Sequence, residues 1–251
     1  MKRRNWTRQE LIVTFNLYCK IPFGRIHNRN PEIIALAMAI GRTPSALSWK
    51  LANFARLDPT LQERNIAGAG HGAKLEQEVW EEFSENWERL AFESERLKAE
   101  IFSTHPEDQE ADSFPEGKTR DAVIRLRVNQ GFFRSAILAS YGSRCCITGL
   151  AIPELLSASH IVPWSVDHKN RTNPQNGLCL NTLHDRAYDR GLLTVTADYK
   201  VLISSAILLT DDPATETLLS RYHGASIHLP ARFRPDPSFL QYHVDHIYVG
   251  S

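Results

Sequence analysis

The chain has no apolar run approaching the ~20 residues that a membrane span requires. Its basic opening, Met1-Lys2-Arg3-Arg4-Asn5-Trp6, leads into no apolar segment of the signal-peptide kind. A cytoplasmic protein with no membrane partner is therefore expected. Cysteine is scarce: Cys19, Cys145, Cys146 and Cys179 include no Cys-x-x-Cys pair, the spacing that zinc knuckles use. Adjacent Cys145 and Cys146 cannot copy it, and Gly149 stands where a second thiolate would be needed. We read the cysteines as small buried side chains in a reducing compartment, not as ligands of a structural zinc. Neither sign of charge is in excess, with 29 Lys and Arg against 29 Asp and Glu. That balance conceals segregation. Residues 1–56 hold ten bases against two acids, residues 57–112 five against fifteen, and residues 113–190 ten against six. Two basic blocks flanking an acidic one are the electrostatic footprint of a nucleic-acid binder. At 251 residues, 42% hydrophobic and 23% charged, the chain can build one large or two ordinary globular cores.

What is present concentrates between Arg144 and Leu193. His160 ends a short apolar run, Ser159-His160-Ile161-Val162-Pro163-Trp164, that reads as a strand. Asn173-Pro174 and Asn176-Gly177 mark turns and launch a second strand, Leu178-Cys179-Leu180. Asn181 or Thr182 then caps a short helix carrying His184, Arg186, Tyr188 and Asp189, stopped by Gly191. Cutting a phosphodiester needs a base to activate water, a cation to offset charge at phosphorus, and help for the departing oxygen. A histidine on a strand suits the first role because its pKa lies near working pH, and His160 is the candidate. A histidine on the facing helix can hold a divalent ion through a neutral ring nitrogen, and that is His184. Asn176 can hydrogen-bond across the loop and fix the distance between strand and helix. Strand, loop, strand and helix so equipped is what a ββα-metal phosphodiesterase needs.

Residues 120–195 resemble the HNH endonuclease family, in particular its restriction-type bacterial branch. The resemblance rests on Cys146-Ile147-Thr148-Gly149, on Ser159-His160-Ile161-Val162-Pro163, on Asn176-Gly177-Leu178-Cys179-Leu180, and on His184-Asp185-Arg186-Ala187-Tyr188-Asp189-Arg190-Gly191, in that order. Arg127-Val128-Asn129-Gln130 with Phe133-Arg134 resembles the helix preceding this core. The likeness implies His160 as general base, His184 as metal ligand, Asn176 as positioning residue and one Mg²⁺ or Mn²⁺ per active site. It also implies double-stranded DNA as substrate and a role in restriction or defence. The chain departs from the pattern at Ser159, where many members carry an acidic or histidine ligand, and at Tyr188, where some carry a further histidine. The metal then rests on His184 with main-chain or water ligands, or on Asp189 if the helix turns that way. A regulator of HNH fold that has lost catalysis is the competing reading, with Ser159 and Tyr188 as its traces. Cleavage of RNA ranks lower, for want of an aromatic single-strand platform.

Upstream, Thr7 precedes a periodic helix through Leu11, Ile12, Phe15, Leu17 and Tyr18. A second helix runs from Glu32 to Ile40 and ends at Gly41; a third runs from Ala46 to Arg56, with Thr43 or Ser45 as its cap. Helix, tight turn and polar helix resemble a helix-turn-helix, with Arg42, Ser45, Ser48, Trp49, Lys50 and Asn53 toward DNA. Arg134, Arg144, Lys169, Arg186 and Arg190 are candidate phosphate contacts around the core. Leu75 to Glu100 reads as one long helix whose stripe of Val79, Trp80, Phe83, Trp87, Leu90 and Leu97 serves internal packing or a homodimer. Residues 101–119 read as a linker. Strands are expected over Leu192–Val195, Val201–Ser204 and Ala225–Leu229, with a helix over Thr215–Tyr222. His27, His71, His168, His243 and His246 are read as packing or surface residues. The expected fold class is α+β: a helical, helix-turn-helix-like module and long helix over residues 1–100, then a ββα-metal nuclease domain over 120–251.

Overall fold

Thr7 starts the first helix through a reciprocal box, its hydroxyl accepting from Glu10 N while the Glu10 carboxylate accepts from Thr7 N. The helix so started, α1 (Arg8–Lys20), is buried from Glu10 to Cys19. The computed structural model describes residues 4–65, 73–102 and 120–250, which divide into two compact units, Met1–Ala136 and Ile137–Ser251. Residues 66–72, with His71, lie outside the described residues. So does the expected linker, apart from Ile101 and Phe102, which end a helix.

In the first unit α1 is the central element. α2 (Pro31–Ala39) and α3 (Pro44–Ala55) follow, joined by a turn through Gly41 at positive φ and capped by Asn30 and Thr43. α4 (Pro59–Glu63) comes next, capped by Asp58. The expected long helix is two: α5 (Lys74–Ser84) and α6 (Trp87–Phe102). Asn86 makes the break, its side chain accepting from Arg89 N as a fresh N-cap. Val79, Phe83, Trp87, Leu90 and Leu97 are buried, and Phe15 of α1 stacks on Phe54 at 4.9 Å with Trp80 and Trp87 at 4.9 and 5.9 Å. Packing within the unit thus accounts for the apolar stripe without a second subunit.

Arg42, Lys50 and Asn53, expected to face DNA, turn inward in the structure. Arg42 donates to both Glu10 carboxylate oxygens, at 3.1 and 2.9 Å, and to the carbonyls of Arg4 and Asn5. It also lies over the Trp6 ring, 4.5 Å from the centroid. Lys50 is ion-paired to the fully buried Glu76, and Asn53 donates to the same carboxylate at 3.0 Å. These three residues brace α3 against neighbouring elements, because a buried carboxylate demands paired donors. Lys50→Ala should therefore cost about 3 kcal/mol in urea unfolding by stranding Glu76, with the salt dependence of DNA binding unchanged. A neutral effect on stability together with a weaker salt dependence would restore the outward reading.

α7 (Arg120–Ser140) carries the boundary between the units. The second unit is built on two hairpins. β1 (Leu156–His160) pairs antiparallel with β2 (Gly177–Asn181), His160 opposite Gly177, and α8 (Thr182–Asp189) follows β2 directly. β3 (Leu193–Val195) pairs with β4 (Val201–Ile203). α9 (Ser205–Leu208), α10 (Pro213–Leu218) and a 3₁₀ turn over Ser220–Tyr222 come next. The strand expected over Ala225–Leu229 reduces to an isolated bridge, Lys200 to Ser226. α11 (Pro237–His246) packs on β3, and its trailing residues close on α8: Val249 N donates to Gly191 O, and a Cβ on Gly191 would lie 2.1 Å from Ile247 O. Only glycine fits there. The fold is α+β, a helical N-terminal region followed by small β-hairpins with a helix. Among the described residues no helix is long and apolar enough to cross a membrane.

Candidate active-site cleft

The loop between β1 and β2 organises itself through short polar side chains. Asp167 accepts from the backbone of Lys169 and Asn170 and from the Asn170 amide, and Asn173 in turn donates to Asn170 Oδ1. Asn176, fully buried, accepts from Val162 N at 2.8 Å and donates to the carbonyls of Val162 and Asn170 at 3.1 and 3.3 Å. One amide thus ties the loop to the residues just beyond His160. The same loop reaches His160 itself, whose Nε2 donates to Arg171 O at 2.8 Å. A ring donating from Nε2 carries its lone pair on Nδ1. Burial lowers the His160 pKa from its ordinary 6.5, and the Arg171 carbonyl only partly opposes this. The imidazole is therefore neutral at neutral pH, the state a proton acceptor needs.

His160 lines a cleft of about 520 Å³ together with Ser159, Trp164, Asp185, Asp189 and His243. Trp164 meets the His160 ring edge-on at 5.6 Å, and Arg171 lies over Trp164 at 5.2 Å. Asp185 and Asp189, one turn apart on α8, both belong to the lining. Burial raises the Asp189 pKa, and the charge of Asp185 adds to the rise against Arg186. Neither carboxylate is ion-paired among the described residues. The Ser159 hydroxyl is buried on the same cleft without a hydrogen-bond partner among those residues. Two unpaired carboxylates and an unused hydroxyl are an oxygen-rich set, which suits a hard divalent cation. No group of three His, Cys, Asp or Glu side chains among the described residues stands close enough to hold a metal by itself, so water and phosphate oxygens would supply the remaining positions.

The structure does not bring His184, expected as a metal ligand, to this cleft. The side chain is buried, Nε2 donates to Leu218 O at 2.8 Å, and Nδ1 lies 3.3 Å from Asn181 Nδ2. The ring is edge-on to Tyr222. Burial alone would raise the Cys145 thiol, but hydrogen bonding with His184, Thr148 and nearby backbone brings it down to about 6. The Nδ1 and Nε2 partners lie within the fold, so His184 braces α8 instead of offering a lone pair to solvent.

Of the other expected contacts, Ser45 and Lys169 are exposed, as are Arg134, Arg144, Arg186 and Arg190. Arg186 and Arg190 lie on the helical face next to Asp185 and Asp189, and Arg134 belongs to the first unit. Two cleft residues escaped the sequence reading. Asp185 was recoverable, since any helix that turns Asp189 toward the cleft turns Asp185 with it. His243 was not, because nothing in its own segment ties it to α8. It stacks on Tyr188 at 3.7 Å and shares a 2.8 Å hydrogen bond with Thr194. Burial brings its pKa from 6.5 down to about 4. Acid should therefore weaken the fold. The contribution is whole above about pH 6.5 and is lost as pH falls through about 4, up to about 3 kcal/mol in all. His243→Phe, which can keep the stack, should flatten the pH dependence of denaturant unfolding; an equal slope in both proteins would remove His243 as its source.

Two antiparallel strands and a following helix, with a half-buried histidine and two aspartates lining one cleft, make up a ββα unit. Residues 145–196 match the family model described as HNH endonuclease. The chain thus carries an HNH endonuclease domain there, reaching from Cys145 through β1, β2 and α8 to the end of β3. No curated protein matches the chain.

Proposed function

We propose that the protein is a metal-dependent DNA endonuclease of the restriction or defence type, with His160 as general base. The observation carrying this reading is the His160 ring, fixed through Nε2 and neutral, on the cleft that Asp185 and Asp189 share. His160 takes a proton from water as that water attacks phosphorus and the bond from phosphorus to the leaving oxygen breaks. Asn176 holds the loop that holds the ring, a positioning role. Asp189 and Asp185 would hold Mg²⁺ or Mn²⁺, which when bound offsets negative charge on the phosphate and the leaving oxygen. Arg186 and Arg190 flank that wall and would clamp neighbouring phosphates, with Lys169 and Arg144 as outer contacts. A carboxylate wall without a cation would repel DNA, which makes binding near the cleft metal-dependent.

The test is cleavage of supercoiled plasmid, methylated and unmethylated, with Mg²⁺, Mn²⁺ or chelator. The proposal expects cutting with metal and none with chelator, and a methylation difference would support the restriction role. A folded protein that binds duplex but never cuts it would overturn the proposal and favour a DNA-binding regulator. Selective cutting of RNA would overturn the substrate assignment.

A further inference from the structure

With Arg42, Lys50 and Asn53 turned inward, the first unit presents a different surface. Ser45 and Trp49, one turn apart on α3, both point outward, and Trp49 is 66% exposed. Tryptophan at such exposure on a well-formed helix leaves a large apolar face in water. Small side chains surround it on the helix, Ala46, Ser48 and Ala52, so the helix surface is shallow there. The turn over Phe23–Arg25 and the residues after it fold back onto the start of α3. Asn28 donates to Ser45 Oγ at 3.2 Å, Asn30 Nδ2 to Arg25 O at 3.1 Å, and Arg29 N to His27 Nδ1 at 3.3 Å. This loop leaves Arg25, His27 and Arg29 exposed to solvent, in the segment whose Asn28 contacts Ser45. Neither arginine is ion-paired among the described residues. Between Ile21 and Leu57 the sequence holds one acid, Glu32, so the surface keeps its positive charge.

We infer that duplex DNA docks on this face, with α3 entering the major groove through Ser45 and Trp49 while Arg25 and Arg29 grip the adjoining phosphates. A major groove of B-form width admits one helix, and slender side chains around Trp49 let the helix backbone approach. The deep, narrow major groove of A-form RNA would not. Charge complementarity fixes the occupant, because two unpaired arginines beside a helix suit phosphates on either side of a groove. The inference rests on the reading of the protein as a DNA enzyme and supplies the surface on which its first unit engages that substrate.

The experiment titrates a fluorescein-labelled duplex with the full chain in chelator, at several salt concentrations, following anisotropy. Arg25→Ala with Arg29→Ala should lower the slope of log affinity against log salt by about 2 and weaken binding at least about 10-fold. Trp49→Ala should weaken binding about 10-fold with the slope intact, since it removes an apolar contact and no charge. All these side chains are exposed, so unfolding midpoints should stay put. Wild-type binding matched by every variant would overturn this face while leaving the nuclease reading standing, which plasmid cleavage checks separately. Wild-type protein that neither binds duplex nor cuts plasmid would overturn both. Trp49→Ala that dissolves a dimer in sedimentation without changing DNA affinity would assign the face to a second copy of the chain, and the inference would fall.

Discussion

Replacing His160 with alanine should lower single-turnover plasmid cleavage by about 10²–10⁴-fold, the usual worth of a general base. Duplex affinity should remain within about twofold, because the ring carries no charge at neutral pH and binds no phosphate in the proposed role. The pH profile of the wild-type rate gives a second reading of the same group. Burial holds the His160 pKa below 6.5, so the base is already deprotonated at neutral pH and the rate should fall only as pH drops below that value. Replacing His160 with glutamine tests the hydrogen bond apart from the base: an amide can still donate to Arg171 O but takes no proton. His160→Gln should therefore fold like the wild type and cut no faster than His160→Ala. A glutamine variant retaining most of the activity would make His160 a brace for the loop and return the search to another base.

The parts of the site that were legible in the sequence are those fixed by local chemistry. Asn173-Pro174 and Asn176-Gly177 dictate the turns before β2, Asn181 caps α8 through its own side chain, and Gly191 stops it at positive φ. The order of β1, β2 and α8 follows from these punctuation residues without knowledge of the rest of the fold. The phase of α8 does not. His184 and Asp185 are neighbours in sequence, yet a helix separates successive side chains by about 100°. Whichever face the body of the unit buries decides which of them meets the cleft. Leu218, Tyr222 and Cys145 close on His184, and all lie outside the motif's strand-to-helix segment. The inward turn of Arg42 and Lys50 has the same origin. Their partners Glu10 and Glu76 stand far away in sequence, and composition registers a base without registering its mate. Segregated charge was therefore a sound signal that bases and acids cluster, and a poor one for which bases reach solvent. Asn86 illustrates the opposite case: a single capping residue, fully visible in the sequence, splits a helix whose apolar spacing runs on uninterrupted.

His184→Ala and Asp189→Asn should fail in different ways, and the contrast decides where the cation is held. Alanine at His184 removes a buried ring, leaves Leu218 O without its donor and takes from Cys145 the hydrogen bond that helps to lower its thiol. The loss of packing and hydrogen bonds together should cost about 2–4 kcal/mol in denaturant unfolding. At a temperature where the variant remains folded, the Mg²⁺ or Mn²⁺ concentration giving half-maximal cleavage should match the wild type. Asp189→Asn keeps the shape and removes a charge that burial and Asp185 already oppose, so its stability should stay level or rise. Its metal requirement should rise about 10-fold or more, in line with the loss of a charged oxygen ligand, and Asp185→Asn should move it the same way. Measuring Tm beside the metal dependence of the rate separates the two effects. If His184→Ala instead raised the metal requirement with little change in Tm, the helix would have to present that ring to the cleft when DNA and metal bind, and the carboxylate wall would lose its assigned role.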